Sequence, residues 1–317
     1  MIDWIIATAT ELDRRIRPTV LETPLVERVA SGRQIWCKQE NLQATGSFKI
    51  RGAMAKLLSL DSDQLERGVL AASTGNHGAG VALAGKVLGA DVTVFVPESA
   101  DPSKLQAITD SGASLQYVPG DPVQCELAAR RQAEASGQIY VPPYNDRRVI
   151  AGQGTVGVEL TRQIDEVGAV VVSVGGGGLI SGVAAVVKKK WPDAQIVAAS
   201  AQNSSVMHQS IAAGHIVEEE TLPTLSDGTA GGVEPGAITY QTCSELVDQW
   251  VTVSEQEIAA AMVAYLDAHE DPIEGSAAVA LVVAAALDEP DGPIVVVLCG
   301  GTVSDASIRR AHELAQG

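Results

Sequence analysis

Aromatic residues are scarce in this 317-residue chain, at 3%, with only two Phe. Its core must therefore be filled by small and branched aliphatic side chains, and Ala, Val and Gly abound. In alternating blocks such residues suit an α/β fold with buried parallel strands. Basic residues are also few: 22 Lys and Arg against 39 Asp and Glu leave a net charge of −17. That balance argues against nucleic-acid binding, which needs a basic footprint, and against an anionic membrane surface. Solubility is its plain consequence. Cys37, Cys125, Cys243 and Cys299 are far apart with no CxxC pair, so neither a zinc site nor a disulfide framework is expected. A reduced cytoplasm is the expected compartment. Met1 to Arg14 carries Asp3 and Glu11 and no basic segment leading into an apolar run, so it does not read as a signal peptide.

Val167 to Val187 carries no charge and is formally long enough to span a bilayer. Gly175 to Gly178 interrupts it, so a buried strand, a turn and a helix are expected instead. The length fits one large or two medium domains. Along the chain, helix and strand patterns alternate. Helices are expected at 4–16, 52–60, 79–88, 102–110 and 122–135, with strands at 34–38, 69–72, 92–96, 114–118 and 139–141. Past Asn145, helices are expected at 155–163, 179–190, 203–213, 238–247, 277–287 and 304–315. Strands are expected at 169–174, 196–200 and 294–298. Ser254 and Glu257 form a capping box for one more helix. The stretch 214–236 is long for a loop without structure, which marks it as a functional candidate.

Thr45-Gly46-Ser47-Phe48-Lys49-Ile50-Arg51-Gly52-Ala53 holds one Lys among small, hydroxylated and aromatic residues. Lys49 is either an ordinary surface cation or a buried amine able to form a Schiff base. Three other stretches bear on that choice. Gly175 to Gly178 follows a strong strand and precedes a helix, a setting in which backbone N–H groups and a helix N-terminus receive a phosphate. A tight turn is the plainer reading, but one Gly would serve for that. Ser73-Thr74-Gly75-Asn76-His77-Gly78 is a polar turn at the C-terminal end of a strand, where ligands bind in open α/β sheets. It suits a carboxylate, and equally an ordinary helix-capping turn. Cys299 ends the last strand, where a thiol either meets a ring nitrogen or simply packs. Two further motifs are weak. Gly80 to Lys86 mimics GxxxxGK but is followed by Val87, and Gly152 to Gly157 matches GxGxxG without the acidic residue that a ribose requires. His208, His215, His269 and His312 show no metal-ligand spacing.

Together these stretches resemble the fold-type II pyridoxal-phosphate enzymes, in particular the threonine/serine dehydratase and serine racemase group. The resemblance runs from Thr23-Pro24-Leu25, through Lys38 to Ala53, the STGNHG block, Val149 to Thr155 and the four-glycine run, to Leu298-Cys299-Gly300-Gly301. It implies two doubly wound three-layer α/β domains of the tryptophan synthase β-like type. A large cofactor-binding domain would comprise 1–50 and 146–317, and a small domain 51–145. It also implies pyridoxal 5′-phosphate as cofactor and a homodimer.

By the same resemblance Lys49 holds the cofactor and later shuttles the Cα proton, and Phe48 flanks the ring. Asn76 contacts the ring oxygen, and Gly175, Gly176, Gly177, Gly178 and Leu179 bind the phosphate. Cys299 faces the pyridine nitrogen, and Glu274 matches a Glu near the ring. Ser73, Thr74, Gly75 and His77 hold the substrate carboxylate. Thr74 stands where the racemase carries a Ser acid/base and many dehydratases an Ala. The racemase's metal carboxylates align with Ser200 and Val206, so no metal is expected. The regulatory domain of biosynthetic threonine dehydratases would follow Gly317, so inhibition by isoleucine is not expected.

The expected activity is an ammonia-lyase acting on L-threonine or L-serine. The alternatives are an amino-acid racemase using Lys49 and Thr74, a 3-hydroxyaspartate dehydratase relying on Arg147 or Arg148, and a catalytically silent cofactor-binding protein.

Overall fold

Val170, Val171 and Val172 are fully buried in one strand, β7 (Ala169–Ser173), as an apolar run covered on both faces of a parallel sheet must be. The computed structural model describes residues 1–269 and 271–316. Among them, β7 lies in a six-stranded sheet whose other members are β1 (Leu25–Ala30), β2 (Arg33–Lys38), β8 (Gln195–Ala201), β9 (Gln249–Val253) and β10 (Ile294–Val297). The order is β1-β2-β10-β7-β8-β9. Its neighbours are parallel except for the β1–β2 hairpin, which turns at Ser31 (φ 49°) and Gly32 (φ 80°). A second, wholly parallel sheet has the order β5-β4-β3-β6, formed by β3 (Val69–Ala72), β4 (Val92–Pro97), β5 (Ser114–Val118) and β6 (Ile139–Tyr140). The fold is thus α/β with two parallel-sheet domains.

Helices cover both sheets. On the larger one, α8 (Gly178–Lys190) packs with α7 (Arg147–Gln163), α1 (Ile2–Ile16) and α10 (Ile238–Leu246), while α12 (Gly275–Ala286) lies against β7, β8 and β10. Beyond α12 are α11 (Glu255–Ala268) and α13 (Asp305–Gln316). On the smaller sheet, α4 (Asn76–Leu88) packs with α2 (Lys49–Leu57) and α5 (Pro102–Asp110), and α6 (Pro122–Ser136) contacts β3 and β4. The remaining helices, α3 (Ser62–Glu66) and α9 (Val206–Ala213), are short.

Local chemistry sets several boundaries. The expected Ser254/Glu257 capping box opens α11. Asp121 caps α6 ahead of Pro122 at its first turn. α7 begins well before the expected residue 155, because the Asp146 carboxylate accepts the N–H groups of Arg148 and Val149. The GxGxxG match therefore lies inside a helix and is not a nucleotide loop. Its glycines permit close packing: a Cβ on Gly152 would lie 2.5 Å from the Arg51 carbonyl, and one on Gly154 3.1 Å from the Gly182 carbonyl. Strands β1 and β9 and helix α3 were not expected. β9 has no alternating burial, so the two-residue period that reveals a strand is missing. Residues 214–237 carry one short 3₁₀ turn, Asp227–Thr229, and no strand.

Candidate active site

Lys49 opens α2, and the turns before it are fastened across the end of β10. Phe48 N–H donates to the Cys299 carbonyl (3.1 Å), Gly301 N–H to Gly46 O (2.9 Å), and Asn41 N–H to Leu298 O (3.0 Å). Gly46 sits at φ +72°, and a Cβ there would meet Thr302 Oγ1 at 2.5 Å. The Lys49 side chain is half-buried. Its Nζ donates to the Pro143 carbonyl at 3.1 Å and lies 5.1 Å from the Phe48 ring centroid. Burial lowers its pKa to about 8, against the opposing influence of Cys299 and Glu274. This setting, with Nζ on a backbone carbonyl beside an aromatic ring, is not that of a freely solvated surface cation.

Two residues on, Arg51 is fully buried and ties the start of α2 to the rest of the protein. Its guanidinium pairs with Glu40 (2.7 Å) and Glu159 (2.7 Å), and Glu159 also holds Lys38 (2.5 Å). Two cations and two carboxylates balance in this network, which Thr23 and Thr155 complete through hydrogen bonds. Removing one member would leave a buried charge uncompensated.

A chain of polar contacts runs beside Lys49. Asn76, the first residue of α4, donates to Glu274 Oε2 at 2.8 Å. Cys299 Sγ lies 3.7 Å from Glu274 Oε1, and Ser173 Oγ donates to that sulfur at 3.4 Å. Burial raises the Glu274 carboxyl to about 7, although the Asn76 hydrogen bond acts the other way. Burial, and then the Glu274 charge, hold the Cys299 thiol well above its ordinary value, so it is a neutral group. A Cβ on Gly300 would lie 2.6 Å from the Glu274 carboxyl, so the glycine makes room for the acid.

The four-glycine run leaves β7 and enters α8, whose N-terminus has no side-chain cap. Each glycine lies under a close neighbour. A Cβ on Gly175 would meet the Thr229 carbonyl at 2.6 Å, one on Gly176 the Tyr144 ring at 2.4 Å, and one on Gly178 Tyr144 Cβ at 2.9 Å. Gly177 adopts φ +81°, which favours glycine. Leu179 follows inside the helix and is buried. Such a run presents backbone N–H groups at the positive end of a helix, which is what a phosphate group needs. The family model for pyridoxal-phosphate dependent enzymes matches residues 16–300.

The chain belongs to this family.

Its cofactor is pyridoxal phosphate. An L-threonine ammonia-lyase of Thermotoga maritima is 38% identical over 307 residues, spanning 95% of this chain and 76% of that one. The processed form of threonine deaminase isoform 2 from Solanum lycopersicum superposes with a TM-score of 0.92 at 31% identity, covering 99% of this chain and 94% of that one. Maize serine racemase does so with 0.89 at 31% identity, covering 97% and 96%. The residues fit the cofactor: an amine of lowered basicity lies near a neutral thiol, and a glycine run enters a helix N-terminus that has no side-chain cap.

The Ser73–His77 turn follows β3 and starts α4. Ser73 Oγ accepts the Gly75 N–H at 3.1 Å, and Thr74 is half-buried in the turn. The His77 ring is committed elsewhere, with Nε2 2.8 Å from the Val141 carbonyl. Burial, with the charge of Lys49, lowers its pKa to about 3, so the imidazole is neutral. Ser200 Oγ donates to Val174 O, and Val206 is buried at the start of α9. The sequence did not single out Pro143, Tyr144 or Thr229. The length of the 214–236 stretch signalled the last, and Pro143 lies just past the strand expected at 139–141. A lone Tyr gave no signal.

Proposed function

We propose that the protein is an ammonia-lyase that converts a β-hydroxy-α-amino acid, L-threonine first and L-serine second, into a 2-oxo acid and ammonia. The observation that carries this reading is the Lys49 amine, lowered to about 8, held by the Pro143 carbonyl beside the Asn76–Glu274–Cys299 chain. Relatives named for threonine ammonia-lyase activity support it.

The bound cofactor supplies an electron sink for charge developing at Cα. With the cofactor bound, Lys49 would be the residue that holds it, and its Nζ, once free, would take the Cα proton. A basicity near neutrality suits that task. Gly175, Gly176, Gly177, Gly178 and Leu179 would hold the phosphate through their N–H groups, and Phe48 would flank the ring. Asn76, paired with Glu274, would meet the ring oxygen. Cys299, a neutral thiol, would stand as the partner of the ring nitrogen and would offer it no charge that favours protonation. Ser73, Thr74, Gly75 and the backbone N–H of His77 grip the substrate carboxylate at the N-terminus of α4. Loss of the Cα proton and the β-hydroxyl, together one water, would leave an enamine, which a second water hydrolyses to the 2-oxo acid and ammonia.

A 3-hydroxyaspartate substrate is not favoured. Arg148 stacks 5.1 Å from the Trp4 ring and Arg147 is exposed, so neither waits for a second carboxylate. Thr74 is β-branched and makes a poor acid/base partner for Lys49 in racemisation. A screen of threonine, serine, their D-forms and 3-hydroxyaspartates, read as 2-oxo acid release, tests the reading. Release from L-threonine supports it; enantiomer exchange without ammonia overturns it.

We also propose that residues 51–145 move as a small domain against 1–50 and 146–317, and that the enzyme is a cytoplasmic homodimer. Four free, buried cysteines suit a reducing compartment. Among the described residues no helix is long and apolar enough to cross a membrane. Sedimentation tests the dimer.

A further inference from the structure

The segment between α9 and α10 covers one end of the glycine run and holds the residue that covers its middle. Its Thr229 carbonyl lies over Gly175, as described above. Further along, the Glu234 backbone N–H donates to the Tyr144 hydroxyl at 2.8 Å, and the Tyr144 ring is the group packed on Gly176. The position of Glu234 therefore fixes the position of the cover over the cradle.

The Glu234 carboxylate faces the other way and has two partners. Oε2 accepts from Asn145 Nδ2 at 2.7 Å, and Asn145 in turn accepts the Ile238 N–H that opens α10, at 3.0 Å. Oε1 accepts from Arg130 Nη2 at 2.5 Å. Arg130 belongs to α6, which is packed on the smaller sheet, whereas Glu234 belongs to the larger domain. The same Nη2 also pairs, at 2.7 Å, with Glu126 one turn earlier in α6, and the guanidinium lies 4.7 Å from the Tyr140 ring centroid. Arg130 is 34% exposed and Glu234 26%.

We propose that the Arg130–Glu234 pair is an interdomain latch that positions Tyr144 over the phosphate cradle and so sets how firmly the cofactor is retained. One guanidinium is shared by two carboxylates. If α6 withdraws, Arg130 keeps Glu126 and Glu234 keeps Asn145, so opening strands neither charge. That distinguishes the pair from the Lys38–Glu159–Arg51–Glu40 network, in which any separation would leave a buried ion alone. Because both partners are partly exposed, the latch is screened by salt. Closed, it presses Tyr144 onto the glycines; open, it releases them. Glu126 competes for the same cation, so the two carboxylates act in opposite directions.

The proposal rests on the reading that the glycine run holds the cofactor phosphate. The test is the dissociation constant and release rate of pyridoxal phosphate, followed by protein fluorescence on apoenzyme and holoenzyme. Glu234→Gln should weaken binding about two- to fivefold, as an ion pair of this exposure implies. It should also remove most of the weakening that wild type shows between about 0.05 M and 1 M NaCl. Glu126→Gln should shift the release rate the other way, towards slower loss, a reversal that general destabilisation of the fold would not produce. Gly175→Ala serves as the control for the cradle itself. If Gly175→Ala weakens binding while Glu234→Gln and Glu126→Gln match wild type, or both shift in the same direction, the latch is overturned. If Gly175→Ala leaves binding unchanged, the cradle reading is overturned and the latch falls with it.

Discussion

Asn76 Nδ2 lies 2.8 Å from Glu274 Oε2, and this hydrogen bond joins the first residue of a helix on the smaller sheet to the residue that immediately precedes α12 on the larger one. It is made near Lys49, so the two domains meet close to the amine proposed to hold the cofactor. The acid in this bond is buried and its carboxyl is raised from 4.5 to about 7. The folded protein therefore prefers Glu274 protonated. This contribution to stability is full below about pH 4.5 and is lost as the pH rises through about 7.

Glu274→Gln should remove that loss. The apoenzyme variant is expected to match wild type near pH 4.5 and to exceed it by about 1–3 kcal/mol near pH 8. Thermal unfolding across that range checks the sign. A variant less stable than wild type at pH 8 would show that the ionised carboxylate is the stabilising form.

Lys49, lowered to about 8, should capture cofactor with a matching pH profile. The rate of apoenzyme reconstitution is expected to climb about tenfold per pH unit and to flatten above about pH 8. Stopped-flow absorbance measures it. A rate still climbing towards pH 10 would mean an ordinary, solvated lysine.

Gly175→Ala should hinder cofactor binding without unfolding the chain. Its Cβ would lie 2.6 Å from a backbone carbonyl, that of Thr229, which has no flexible end to move aside. The dissociation constant is expected to rise by about tenfold or more, since relief requires the 227–229 turn to shift. Fluorescence titration decides it, and an unchanged constant would contradict the cradle.

Arg51→Met should destabilise the fold by about 3–5 kcal/mol, because Glu40 and Glu159 would remain buried with Lys38 as their partner. Urea unfolding gives the value. A cost below about 1 kcal/mol would mean that the carboxylates find water or protons cheaply.

Much of the architecture was legible because its signals are local. The Val-rich run of β7, the Ser254/Glu257 cap and the glycines after β7 each announce their own structure. Where burial does not alternate, as in β9, the sequence carried no period to read. The N-terminal turns of α7 were missed because Asp146, one short side chain, sets the start of a helix whose pattern is diluted by Gly152, Gly154 and Gly157. In the site, Lys49, Asn76 and Cys299 stood in recognisable blocks. Pro143 contributes a backbone carbonyl, and Tyr144 acts through where its ring packs, neither of which a residue pattern records. The Arg130–Glu234 contact joins two distant stretches through charges that look like any others in an acidic chain.

The most direct test of the account is product analysis with L-threonine. Wild-type holoenzyme should release 2-oxobutanoate and ammonia in equal amounts, and folded Lys49→Ala should release neither and lose the absorbance of lysine-bound cofactor. Turnover by Lys49→Ala, or conversion of L-threonine to a stereoisomer without ammonia, would contradict it.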